Sequence, residues 1–147
     1  MKKIKFRAWD KINKMMFKKV QVLNLRPDKN EVRVMPRNLN FKHSGVISIA
    51  HSIIMQFIGL KDKKGKEIYE DDIVSFYPYE LSKQRHKKGW LIHGRIVFND
   101  NAQFCIRYVD MFEPDGEIDY LFTKECEVIG NIYENPDLLT FEKTKGT

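Results

Sequence analysis

Cysteine is scarce: Cys105 and Cys126 are the only two in 147 residues. They stand too far apart for a Cys-x-x-Cys redox pair and are too few for a zinc knuckle, so two half-buried thiols in a reducing compartment are expected. Long apolar runs are missing as well. None approaches the ~20 residues that cross a bilayer, and no membrane association is expected. The opening Met1-Lys-Lys-Ile-Lys-Phe-Arg7 has charge without an apolar block behind it, unlike a secretory signal, so a cytoplasmic protein is expected. Neither Gly-rich phosphate motif occurs, since Lys64-Gly65-Lys66 is a turn sequence and not a Walker loop. Gly-x-Ser-x-Gly is absent, and Cys105 has no nearby sequence cue for a base. His43, His51, His86 and His93 match no metal-ligand spacing, and His93 is expected to be structural. Glu70, Asp71 and Asp72 are consecutive. On a turn such side chains splay, whereas acid–base work needs two groups aimed at one point. The expectation is a non-enzyme without catalytic residue, metal site, cofactor or small-molecule substrate.

What the chain has is charge, unevenly placed. The 26 Lys/Arg and 20 Asp/Glu leave a net +6. Residues 1–66 hold 17 Lys/Arg against 4 Asp/Glu, and residues 67–147 hold 9 against 16. Such polarity predicts a basic N-terminal unit over 1–66 and an acidic unit over 67–147. It fits halves that attract each other, subunits that pair head to tail, or a basic half that meets nucleic acid.

Short apolar runs bounded by turns predict a mainly β protein with minor α. Ile4–Trp9 alternates as a half-buried strand, with Trp9 on the face opposite Phe6. Asp10–Lys14 is a turn, Met15–Phe17 starts the returning strand, and Val20–Leu23 continues it. Glu31–Met35, Val46–Ala50 and Ile53–Ile58 follow as strands, completing a twisted antiparallel N-terminal sheet. Ile73–Tyr77, Trp90–Phe98, Gln103–Val109, Ile118–Phe122 and Cys126–Tyr133 predict an SH3-like barrel from about Ile73 to Tyr133. Gly94 marks a bulge or bend in it. Glu113–Glu117 reads as a turn, and Asn135-Pro136 opens a short C-terminal helix. The polar insertion Pro78–Gly89 is long and basic, the kind of loop that carries function.

The centre of the chain is Gln56–Val74, QFIGLKDKKGKEIYEDDIV. Here Gly59 ends a strand, Gly65 takes the positive-φ position of a polar turn, and Asp71-Asp72 makes a second turn in which Asp72 bonds backbone amides. With Phe6-Arg-Ala-Trp-Asp10 before it and Val128-Ile-Gly-Asn-Ile-Tyr-Glu-Asn-Pro136 after it, this stretch resembles the YopX family. The three blocks span almost the whole chain in the family's order. The resemblance implies a phage or prophage protein of Gram-positive bacteria, mostly β, with no established activity, acting in the host-cell cytoplasm. It offers no catalytic residue to carry over. Asp71 departs from the family's usual Tyr-Glu-Gly-Asp-Ile-Val by replacing its glycine, and Asp tolerates the left-handed region better than most residues.

Two functions follow as expectations. The first is a phage accessory protein that assembles with itself or with another phage or host protein. The alternative is a nucleic-acid-binding module. It would use Lys61, Lys63, Lys64 and Lys66 on one turn, with Arg85, Lys87 and Lys88 neutralising phosphates beside Trp90 as a stacking ring.

Overall fold

The computed structural model describes residues 4–26, 31–36, 47–48, 51–77, 91–108, 116–119 and 125–139. The expected basic insertion Pro78–Gly89 lies outside the described residues, as do Trp90 and most of the turn at Glu113–Glu117. The chain divides into two compact units, Met1–Gly59 and Leu60–Thr147.

In the first unit β1 (Phe6–Asp10), β2 (Met15–Arg26), β3 (Glu31–Pro36), β4 (Ile47–Ser48) and β5 (Ser52–Lys61) pair antiparallel, in the order β4-β3-β2-β1-β5. The Asp10–Lys14 turn is held by Asp10, whose Oδ1 accepts the amides of Ile12 at 2.8 Å and Asn13 at 3.0 Å. Its Oδ2 accepts Asn13 Nδ2 at 2.7 Å. The two runs Met15–Phe17 and Val20–Leu23 form one strand of 12 residues. Ala8 and Val20 form the buried centre, with Phe6, Phe17 and Ile54 packed against it. Phe17 and Val20 are three residues apart, which a strand of period two cannot put on one face. A register shift between Phe6 and Ala8 supplies the correction: Phe6 faces Val20 and Ala8 faces Phe17, so β2 carries one extra residue opposite Arg7.

Gly59 does not end its strand. β5 passes through it to Lys61, and Gly59 has a φ of 91°. Without a Cβ it takes this left-handed conformation at little steric cost, so the strand bends where the sequence reads as a stop. Beyond it β6 (Glu67–Tyr69) forms the edge of the same sheet, after β5.

The second unit holds a five-stranded antiparallel sheet of β7 (Asp72–Phe76), β8 (Ile92–Phe98), β9 (Phe104–Tyr108), β10 (Gly116–Asp119) and β11 (Glu127–Asn131). Their order is β10-β9-β8-β7-β11. Four strands run as a meander and the fifth returns to pair with the first, the connectivity of an SH3-like barrel, curled here as a half-barrel. Val74, Ile96 and Ile106 share one face of it, and Ile73 is buried on the opposite face, each 1 % exposed or less. The C-terminal helix is a single 3-10 turn, Pro136–Leu139. It is anchored by Leu138, whose carbonyl accepts Nδ1–H of His93 at 2.8 Å.

No bulge occurs at Gly94, because the pairing of β8 with both β7 and β9 runs through it without a shift. Its role is close approach. A Cβ there would lie 2.4 Å from Ile106 Cγ2 and 3.1 Å from the Arg107 carbonyl oxygen. The bulge of this unit is in β11, between Val128 and Gly130.

Gly94→Ala is therefore expected to lower stability by about 1–3 kcal/mol through overpacking. Gly65→Ala meets no atom within 4 Å and carries only the cost of its φ of 81°, about 1 kcal/mol. Urea unfolding of the two variants checks the order.

Candidate functional site

The lysine turn is organised by Asp62, a residue that the sequence reading passed over. Its side chain is buried, 6 % exposed. Oδ1 accepts the amides of Lys64 and Lys66, each at 2.9 Å, and Oδ2 accepts the amide of Val128 on β11 at 2.9 Å. The main chain closes around it: Gly65 N donates to Asp62 O at 2.9 Å, Asp62 N to Lys66 O at 2.9 Å, and Lys63 N to Cys126 O at 3.0 Å. One carboxylate thus shapes the turn and fastens it to β11. Burial raises the Asp62 pKa, but the amides of Val128, Lys66 and Lys64 outweigh it and hold the carboxyl below its ordinary 3.8. The legible signal was Asp-Lys-Lys-Gly, an aspartate three residues before a glycine.

This turn also determines what its lysines do. Glu127 lies between Lys63, at 3.2 Å, and Lys64, at 2.5 Å. Hydrogen bonds from Lys64 and then Lys63 hold the Glu127 carboxyl below its usual range, and the Glu127 bond raises Lys64. Lys66 Nζ reaches the Val128 carbonyl at 3.4 Å. Lys61 is exposed. The ion pairs are exposed, so salt screens them. Arg85, Lys87, Lys88 and Trp90 lie outside the described residues.

The second turn separates its carboxylates. Asp71 has a φ of 64°, its N–H donates to Ile96 O at 3.0 Å, and its carbonyl accepts Ile132 N at 3.1 Å. Its Oδ1 accepts Arg95 Nε at 3.0 Å and Nη2 at 2.7 Å, while Oδ2 accepts the Tyr133 hydroxyl. The side chain at the family's glycine position thus ties the entrance of β7 to β8 and to the segment after β11. Asp72, 1 % exposed, turns away and accepts the Tyr69 amide at 2.8 Å through Oδ2. Among the described residues no group of three or more His, Cys, Asp or Glu is placed to hold a metal.

Neither cysteine is in a disulfide, and both are more deeply buried than the sequence suggests, Cys105 at 3 % and Cys126 at 0 % exposure. Cys126 lies directly under the Asp62 turn, as its carbonyl bond to Lys63 shows. Burial, with the Asp62 charge behind it, pushes its pKa up to about 12.

These features define a class: a small all-β chain with an SH3-like half-barrel and a second antiparallel sheet, closed by carboxylate-stitched turns. The sequence profile of the YopX protein family matches residues 5–140, so the chain belongs to the YopX family. Among solved structures it is similar to protein EF1440 from Enterococcus faecalis, with 27 % identity and a TM-score of 0.61 over 95 % of this chain and 100 % of that one. It also shares its fold with YopX from Bacillus subtilis, at 18 % identity and a TM-score of 0.56, over 97 % of this chain and 100 % of that one. No curated protein matches the chain.

Asp62→Ala leaves three amides without their acceptor and is expected to cost about 2–4 kcal/mol, with Asp62→Asn milder. A carboxyl held low in the fold contributes fully above its unfolded pKa and loses that contribution as pH falls through the folded pKa. The stability gap between wild type and Asp62→Ala should accordingly narrow below pH 3.8, measured as urea midpoints against pH. Ellman's reagent should leave both thiols untouched in the native protein and modify both after unfolding.

Proposed function

We propose that this protein is a non-enzymatic phage accessory protein that works by binding protein, either a second copy of itself or another phage or host protein, in the cytoplasm of the infected cell. The observation carrying this reading is that the charge imbalance follows the division into units. Met1–Gly59 holds 13 Lys/Arg against 3 Asp/Glu, and Leu60–Thr147 holds 13 against 17. Two oppositely charged folded units give complementary surfaces for head-to-tail pairing or for a charged partner. Further support comes from the buried carboxylates Asp10, Asp62 and Asp72, each of which accepts main-chain amides. Among the described residues no helix is long and apolar enough to cross a membrane.

The alternative, nucleic-acid binding through the Lys61–Lys66 turn and the Arg85–Trp90 segment, draws less support. Lys63 and Lys64 already share Glu127, so phosphate would have to compete with a carboxylate. Light scattering of the purified protein across ionic strengths tests the self-association form of the proposal. Its expected result is a mass above the monomer at low salt that falls as salt rises. A monomer indifferent to salt overturns that form, and a pull-down from infected cells then tests for a different protein partner.

A further inference from the structure

We propose that the β1–β2 hairpin is a contact surface for the phosphate backbone of a nucleic-acid duplex, a site apart from the lysine turn and independent of the protein-binding reading. Lys11, Lys14, Lys18 and Lys19 are all exposed on this hairpin. Among the described side chains of the first unit, Asp10 is the one carboxylate. It is 5 % exposed and turned onto the amides of Ile12 and Asn13. Lys14, Lys18 and Lys19 thus stand with no described surface carboxylate to neutralise them, unlike Lys63 and Lys64 beside Glu127.

The bulge in β2 gives this face its form. In a regular strand, one of two successive residues points toward the core. Here the extra residue lets Phe17 and Val20 both reach the core, and Lys18 and Lys19 between them are both left outside. A distortion of the ladder that re-aims side chains is a feature of working surfaces. It places two adjacent cations close behind the pair at the turn; Lys14 and Lys18 are about 13 Å apart along the strand at ~3.3 Å per residue.

Two arguments select the partner. Lysine is depleted at protein–protein interfaces, whereas a row of lysines without arginine suits sequence-independent phosphate binding. The apolar group beside them at the turn is aliphatic, Ile12 at 65 % exposure. Trp9 is buried, and Phe6 and Phe17 pack on the core, so the hairpin presents no exposed ring on which unpaired bases would stack. A duplex, contacted through its backbone with Ile12 against the groove edge, fits this chemistry better than a single strand.

The test is fluorescence anisotropy of the full chain with a random-sequence DNA duplex, the matching single strand, and vesicles containing phosphatidylserine. The expected result is duplex binding, tighter than single-strand binding, that weakens steeply between about 50 and about 200 mM salt. The variant Lys14→Gln/Lys18→Gln/Lys19→Gln should bind at least about tenfold more weakly at low salt, with a salt slope smaller by about 3. Lys63→Gln/Lys64→Gln should bind as wild type does. Should the triple variant fail to fold by circular dichroism, Lys18→Gln alone is expected to reduce the slope by about 1. The proposal is overturned by absence of duplex binding at low salt, by tighter binding to the single strand, by vesicle binding without duplex binding, or by hairpin variants that bind as wild type.

Discussion

The second unit depends on a buried carboxylate that serves two segments 66 residues apart, as Asp62 accepts amides from its own turn and from Val128 of β11. A buried anion is tolerated because three N–H dipoles replace the water it gives up. Its position also matters for the sheet. β11 is an edge strand, paired with β7 on one side. On the other side the Asp62 turn takes up the Cys126 carbonyl and the Val128 amide and carbonyl. Edge groups that would otherwise offer a template for another strand are occupied within the unit. Lysines that look available in the sequence are consumed in the same arrangement.

Asp71 shows how a departure from a family pattern is absorbed. A glycine is the low-cost residue at a φ of 64°, and an aspartate there carries a steric penalty. The side chain gains Arg95 and Tyr133 in return, two partners that glycine lacks. Charge-assisted bonds of this kind are stronger than neutral ones, so the turn is kept and its chemistry changes.

In the first unit the same economy operates through backbone geometry. A bulge opposite Arg7 reconciles a three-residue apolar spacing with a two-residue period, and the residues displaced outward are lysines. The hairpin therefore owes its cationic face to the packing demands of Phe17 and Val20. Lys and Arg are split evenly, 13 in each unit, and the imbalance comes from the carboxylates, 3 in the first unit against 17 in the second.

Much of this architecture was legible in local pattern. Alternation and turn residues located β1, β3, β7, β8, β9 and β11, and the three family blocks carried the family. Local pattern misled at Gly59 and Gly94. Gly59 reads as a stop and Gly94 as a bulge or a bend; the φ of Gly59 lets β5 continue, and at Gly94 there is no bulge but a close approach to Ile106. Neither Asp62 as a clasp nor the Glu127 pairing was legible, because their partners lie more than sixty residues away in sequence. By itself the sequence determined strand periodicity, turn chemistry and the uneven charge, all properties of neighbouring residues. The tertiary structure alone decided which carboxylates are buried, which lysines are paired and which remain exposed. Burial and pairing are properties of surfaces that meet only when distant strands come into register.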